Sequence, residues 1–398
     1  MAVSTHRPAT LELEIAVMKI NGRHYRTIWL NADGRSVEVI DQSKLPHAFE
    51  TQTLSSFHDA VEAIKKMIVR GAPLIGVTGA YGLALAVADD PTDNAIETAY
   101  AELLGSRPTA VNLRWALDRL RDRLFSAPPP MRRPLAYSEA AAIAEEDIRS
   151  CHAIGEHGAA LISAAALRCP DRPVNILTHC NAGWLCAVDW GTALAPIYKA
   201  ARAGIAVHVW VDETRPRNQG ASLTAFELLG EAIPHAVIAD NTGGHLMQHG
   251  LVDLCIVGSD RTARTGDVCN KIGTYMKALA AHDNSVPFYV ALPSSTVDWR
   301  ISDGLKEIRI EERDQSEVTH ICGRTEHGET VRVRLTPNGS PARNFGFDVT
   351  PARLVSALIT ERGACAANEA ALQSLFPDLA NFAGRRFNSR AAASIHNP

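Results

Sequence analysis

Asp260 closes the run Leu254-Cys255-Ile256-Val257-Gly258-Ser259-Asp260, in which four apolar residues precede a glycine and two polar side chains. A short apolar run bounded by glycine suits a strand covered on both faces. Ligands in open α/β sheets bind beyond the carboxyl ends of such strands. A carboxyl group held there is partly shielded from water, so its pKa rises and it can carry a proton near neutrality. Asp260 also suits a turn cap or an ion pair with Arg261, so alone it specifies no chemistry. A polar loop is expected from there to Asn270-Lys271.

The pattern recurs. Val174–Thr178 leads to His179-Cys180-Asn181-Ala182-Gly183, and residues 205–211 lead to Asp212-Glu213-Thr214-Arg215. Residues 236–239 lead to Asp240-Asn241-Thr242, and residues 286–292 to Pro293-Ser294-Ser295. Helical stretches fill the gaps, such as 223–229 and 271–281. Strand–helix alternation implies parallel βαβ units with right-handed crossovers. The polar strand ends then share one edge of one sheet, as a small-molecule site requires.

Two arginines could bind an anion. In Arg70-Gly71-Ala72-Pro73 the arginine precedes a helix start, whose free N–H groups and positive end attract anions, and small residues permit close approach. An ordinary turn with Arg70 in water fits equally. Arg107, in Ser106-Arg107-Pro108-Thr109, is a turn arginine and exposed by default. Neither matches the P-loop, and no strand of the sheet is followed by Gly-x-Gly-x-x-Gly, which disfavours a nicotinamide dehydrogenase. The absence of Gly-x-Ser-x-Gly disfavours a serine hydrolase. Gly76, Gly79 and Gly82 share one side of a helix and read as a packing feature. His179 beside Cys180, and Cys151 beside His152, could suggest metal ligands, but neighbours on a strand point to opposite faces, so no metal is expected.

The elements that must position these residues follow from the pattern. The chain has 398 residues, enough for two or three domains. Apolar content of 46% and charged content of 21% fit a soluble globular protein. Net charge is −4, and the densest basic run, Met131-Arg132-Arg133-Pro134, is short, so nucleic acid is not an expected partner. No apolar stretch approaches the roughly 20 residues of a membrane span, and the polar N-terminus lacks a signal-peptide core. Eight cysteines without Cys-x-x-Cys spacing fit a reducing compartment, and a cytoplasmic location is expected.

Residues 1–25 read as an extension. Residues 26–30 and 36–41 flank Asn31-Ala32-Asp33-Gly34, a hairpin signal. Phe57, Val61, Ile64 and Ile68 mark one helical face. Helices follow over 94–104 and 110–124, then a loop or linker over 127–134, then a long helix over 138–166. The pattern reads as α/β: a mostly helical N-terminal part with a β-hairpin, then, from a boundary near Cys169-Pro170-Asp171-Arg172-Pro173, a domain with a parallel sheet. Residues 308–312 and 329–333 are expected strands. Thr350 and Pro351 suit the N-cap and first position of a helix. Residues 369–376 suit an amphipathic helix, and 385–398 look disordered.

Seven runs in one order carry a resemblance: Arg70-Gly71-Ala72-Pro73-Leu74-Ile75-Gly76, Ser106-Arg107-Pro108-Thr109-Ala110-Val111-Asn112-Leu113, Thr178-His179-Cys180-Asn181-Ala182-Gly183, Asp212-Glu213-Thr214-Arg215-Pro216, Gln219-Gly220, Gly258-Ser259-Asp260-Arg261 and Asn270-Lys271-Ile272-Gly273-Thr274. Together they resemble the methylthioribose-1-phosphate isomerase family, over residues 26–363. The resemblance implies a cofactor-independent aldose–ketose isomerase of methionine salvage, converting 5-methylthioribose 1-phosphate to 5-methylthioribulose 1-phosphate. It implies Asp260 as proton donor and Cys180 as second catalytic residue. It implies Arg70, Gly71, Ala72, Arg107, Gln219, Asn270 and Lys271 as substrate-binding residues, mostly for the phosphate. It also implies a homodimer, each chain with a small, mostly helical N-terminal domain (26–168) and a Rossmann-like C-terminal domain (169–363), and leaves a partly disordered tail (364–398) outside the likeness.

The chemistry makes demands these residues can meet. The anomeric oxygen carries phosphate, so the ring cannot open to a free aldehyde until something protonates the ring oxygen, a role suited to a sheltered carboxylic acid. Hydrogen then moves from C2 to C1, either as a proton through a base such as the Cys180 thiolate or as a hydride while Cys180 steadies the charge. Related scaffolds leave other readings: an isomerase of 5-deoxyribose 1-phosphate or ribose 1,5-bisphosphate, or a non-catalytic regulatory subunit of the translation initiation guanine-nucleotide exchange factor.

Overall fold

The computed structural model describes residues 19–20 and 22–380. Most of the expected N-terminal extension and all of 385–398 lie outside the described residues.

The expected hairpin forms from Ile28–Leu30 and Val37–Ile40, paired antiparallel, with Gly34 at φ +66° in the turn. A third strand, Thr51–Leu54, completes the sheet. Helix α1, Phe57–Lys65, starts in a capping box of Ser56 and Asp59 and stops short of Ile68, so the expected apolar face is one turn shorter. Helix α2, Ala72–Asp89, corrects the expectation that no stretch is membrane-like. Its 18 residues have a mean hydropathy of 1.4, yet 89% of them are buried inside the protein. Such a helix, apolar all round, is a core helix. Its glycines are contact points: a methyl on Gly79 would lie 2.3 Å from Leu113, and one on Gly82 would lie 2.8 Å from Ala60.

Around α2 pack α3 (Asp93–Ser106), α4 (Val111–Phe125) and α5 (Pro129–Ala166). The expected linker over 127–134 is instead mostly the first turns of α5, because Pro129 and Pro130 lack N–H groups where a helix needs none. The basic run noted there is also structural. Arg132 is 5% exposed, and its guanidinium donates to the carbonyls of Leu124, Ala127 and Pro91 at the ends of neighbouring elements.

All five expected strands of the main sheet form. Its order is Gly363–Cys365, Ala357–Thr360, Phe288–Ala291, Leu254–Val257, Val174–Thr178, Val207–Asp212, His235–Ile238, parallel except at the Gly363–Cys365 edge. Alternate residues of Leu254–Val257 point to opposite faces. Leu254 and Ile256 join the core shared with α2–α5, whereas Cys255 and Val257 join Phe288, Leu358, Leu372 and Phe376 beneath. The tail expected from residue 364 thus begins inside the edge strand, and helix Glu369–Leu375 buries Leu372 against the sheet.

A second sheet of Val297–Asp298, Arg261–Ala263, Val268–Lys271 and Phe347–Thr350 revises three expectations. Asn270 and Lys271 end a strand rather than a loop. Thr350 ends a strand and is followed by a single turn, Ala352–Leu354, so it caps no α-helix. Residues 308–312 form no strand, only a single bridge from Glu312 to Phe345. Residues 329–333 do fall on a strand, Thr330–Arg334, which pairs with His320–Arg324 as an exposed hairpin.

Candidate active site

Strand order points to a candidate site. From Val174–Thr178 the chain adds Val207–Asp212 and His235–Ile238 on one side, then crosses to add Leu254–Val257 on the other. The topology reverses between Val174–Thr178 and Leu254–Val257, and a crevice at the carboxyl ends of two such strands is where open α/β sheets bind ligands. Cys180 follows one of these strands and Asp260 follows the other.

Cys180 sits at φ +66° and is 8% exposed. Its N–H donates to Thr214 Oγ1 at 2.9 Å, and its carbonyl accepts from Thr224 Oγ1 at 2.7 Å. Asp260 is partly buried, and its N–H donates to the Cys269 carbonyl at 3.0 Å. Arg261 lies 3.8 Å from Asp298, which removes the ion-pair reading of Asp260. The Asp260 carboxyl lines a narrow cleft with Ala72, Ile75, Arg107, Cys269 and Phe347. Burial pushes its pKa up, against the pull of Lys271, Arg70 and Arg107, and Glu311 adds to the rise. Burial likewise pushes up the Cys180 thiol, opposed by Arg70 and Lys271 and reinforced by Asp260. Burial lowers the Lys271 ammonium, while Cys180 and Asp260 hold it up. The carboxyl, the thiol and the two cations therefore share one electrostatic environment.

Arg107 is 8% exposed, not the solvated turn residue that its sequence suggests. Its Nε lies 3.4 Å from Glu311, and its Nη1 is buried without a hydrogen-bond partner. An unmet buried guanidinium N–H is costly and ready for an anion. Gly71 is the N-cap of α2 at φ +94°, and a methyl there would lie 2.5 Å from the Cys186 backbone. Only glycine lets the first turn of α2, with Ala72 at its start, seat on the segment after Cys180. Lys271 is 4% exposed, with its ammonium 5.1 Å from the centre of the Phe347 ring. The Asn270 amide donates to Thr274 Oγ1 at 3.0 Å. Gln219 Oε1 is buried and unpartnered.

The expected site residues do not all line one cavity. Ala72, Arg107 and Asp260 face the narrow cleft, whereas Arg70 and Gln219 face a cavity of about 740 Å³ that reaches Lys44, Met67 and the 320–334 hairpin. A further cavity of about 350 Å³, between α2, α4, α5 and residues 293–295, contains none of them.

Several supporting residues carry no sequence signal. Glu227, 2% exposed, accepts from Asn181 Nδ2 (2.8 Å), Trp184 N–H (2.8 Å), Leu185 N–H (3.2 Å) and Tyr198 O–H (2.6 Å). A methyl on Gly183 would lie 1.8 Å from Glu227, so the glycine after Asn181-Ala182 makes room for this carboxyl. Glu311 belongs to a segment read as a strand. Among the described residues one group of potential metal ligands converges, His179, Asp212 and Asp240. The protein's own cation occupies that space: Lys277 Nζ lies 3.0 Å from Asp212 Oδ2 and donates to the Asp240 carbonyl.

The chain as a whole is similar to known proteins. A family model described as the Initiation factor 2 subunit family matches residues 68–367, and the chain belongs to that family. Within it the chain is 64% identical to a methylthioribose-1-phosphate isomerase of Paramagnetospirillum magneticum, over 91% of this chain and all of that protein. It is 63% identical to the enzyme of the same name from Rhodospirillum centenum, over 93% of this chain and 98% of that one. The crystal structure of 5-methylthioribose 1-phosphate isomerase from Pyrococcus horikoshii superposes with a TM-score of 0.75 at 37% identity, covering 89% of this chain and 96% of that one. A structure titled translation initiation factor eIF-2B, subunit delta, from A. fulgidus superposes with a TM-score of 0.72 at 36% identity, covering 89% and 99%.

Proposed function

We propose that this chain isomerises 5-methylthioribose 1-phosphate to 5-methylthioribulose 1-phosphate, with Asp260 as general acid and Cys180 at the reacting carbons. The observation that carries the reading is the pairing of a carboxyl and a thiol, both raised by burial, at the two strand ends that flank the topological switch. The isomerases named above, at 63–64% identity over nearly whole chains, support the activity.

Neutral Asp260 gives its proton to the ring oxygen, and the bond from C1 to that oxygen breaks. The cation at C1 is stabilised by the oxygen that bears the phosphate. Hydride leaves C2 for C1, and C2 becomes a carbonyl as its hydroxyl proton returns to the Asp260 carboxylate. Protons and electrons balance, and the acid is regenerated. A thiol raised by burial is a poor standing base, which favours hydride transfer over proton abstraction. The unmet Arg107 N–H and the first turn of α2 suit the phosphate. Turnover in deuterium oxide tests the route: hydride transfer leaves C1 of the product free of solvent deuterium, and one deuterium at C1 would rule it out.

A further inference from the structure

His179 adjoins Cys180 and takes no part in the steps above. Its side chain is fully buried and held at both ends. Nε2 lies 2.8 Å from the Ile272 carbonyl, and a carbonyl can only accept, so Nε2 carries the hydrogen of that bond. Nδ1 lies 2.8 Å from Asp212 Oδ2, the same oxygen that meets the Lys277 ammonium at 3.0 Å. A methyl on Gly273 would lie 3.0 Å from the His179 ring, so the imidazole seats on the backbone just after Lys271 and Ile272.

A second tie runs from Asp212 to the thiol's own residue. The Asp212 carbonyl accepts from Thr214 Oγ1 at 2.9 Å, and that oxygen accepts the Cys180 N–H. On the far side, Asp348 takes the Gly273 N–H at 2.7 Å and the Tyr275 N–H at 3.1 Å. The other oxygen of Asp212 is buried without a partner. A knot that only stabilised the sheet edge would gain by satisfying it, since each unmet buried acceptor costs about 1–3 kcal/mol.

We propose that His179, backed by Asp212 and Lys277, is a positioning residue: it splices the Cys180 turn to the strand of Lys271 and so holds the Lys271 ammonium in register with the thiol. This deepens the reading of Cys180 and Lys271 as site residues and rests on it. A merely structural role has a different consequence. Lys271 is one of the two cations that hold down the buried thiol, so loss of the splice raises the thiol, whereas loss of general stability leaves its titration in place.

The test is the pH dependence of Cys180 alkylation by iodoacetamide in the full chain, followed by mass spectrometry of its peptide. Native protein is compared with His179→Gln and with Leu372→Ala, a truncation in the core beneath the sheet. The splice requires the His179→Gln midpoint to rise by about one pH unit, a tenfold loss of thiolate at fixed pH, while Leu372→Ala keeps the native midpoint. Lys277→Gln enters the knot from helix Thr274–Asp283, carries the same expectation, and serves where His179→Gln does not fold. A native midpoint in either folded variant, or an equal rise in Leu372→Ala, overturns the proposal. Alkylation needs no turnover, so the result is separable from the isomerase reading: full activity in Cys180→Ser would end that reading and leave the splice standing.

Discussion

The guanidinium of Arg70 grips the residue that follows Cys180: Nη1 donates to Asn181 Oδ1 at 2.5 Å and Nη2 to the Asn181 carbonyl at 2.9 Å. Arg70 precedes α2, and Asn181 follows the first strand of the main sheet. One forked contact therefore joins the N-terminal helices to the strand end that carries the thiol. Asn181 passes the contact on to Glu227 through its amide. The start of α2 and the strand end that carries Cys180 are thus joined in one hydrogen-bond network.

Arg107 offers the clearest binding test. Its Nη1 is buried and unmet, and a charge-assisted hydrogen bond is worth about 1.5–3 kcal/mol. Arg107→Met should raise KM for the sugar phosphate by roughly 10- to 100-fold in steady-state assays. An unchanged KM would remove Arg107 from the phosphate site.

The pH profile carries a signed expectation. If Asp260 is the neutral acid proposed above, activity falls as pH rises through its elevated pKa. Lys271 is the leading cation holding that pKa down. Lys271→Met removes it, the carboxyl holds its proton to higher pH, and the alkaline limb of kcat moves upward. Stopped-assay kcat values across pH read the limb directly; movement to lower pH would contradict the assignment.

Stability should respond to Asp147. Burial pushes its carboxyl up to about 7, opposed by the Val188 N–H and reinforced by Asp189. A folded-state pKa above the unfolded value stabilises the protein at low pH. That contribution is full below about pH 4 and is lost as pH rises through about 7. Asp147→Asn should flatten this trend: native Tm minus variant Tm falls between about pH 4 and about pH 8. A constant difference across that window would show that Asp147 is not the group responsible.

Gly71→Ala combines a backbone penalty with a steric one. The residue holds φ +94°, and the new methyl would meet Cys186 at 2.5 Å. Left-handed strain costs about 1–2 kcal/mol before the clash is counted. The variant should show a lower Tm and a rise in KM, as the first turn of α2 lifts from its seat. Native values for both would mean that this turn binds no phosphate.

The sequence made the sheet legible because its strands are short apolar runs with polar ends, and a parallel sheet buried on both faces must read that way. The long helices were legible too, except the start of α5, where prolines looked like a linker although the first helical turn tolerates them. The second sheet was not legible. Val268–Lys271 ends in Asn270 and Lys271, polar residues buried by tertiary packing, and Phe347–Thr350 ends before Pro351, which mimics a helix start. Within the site, Asp260 stood out only as a polar strand end, the Arg70–Pro73 turn fitted an anion site and an ordinary turn equally, and the role of Cys180 came from the family resemblance. Glu227, Glu311 and the His179–Asp212–Lys277 knot were invisible, since each depends on a partner 29 or more residues away.

The role of Asp260 is tested most directly by Asp260→Asn, with turnover and binding of 5-methylthioribose 1-phosphate measured on the same preparation. The amide keeps the shape and removes the proton. The expected result is a fall in kcat of about 10²–10⁴-fold, the usual worth of a general acid, with substrate Kd within about threefold of native. A variant that binds and turns over like the native enzyme would contradict the assignment of the sheltered carboxyl as the proton donor.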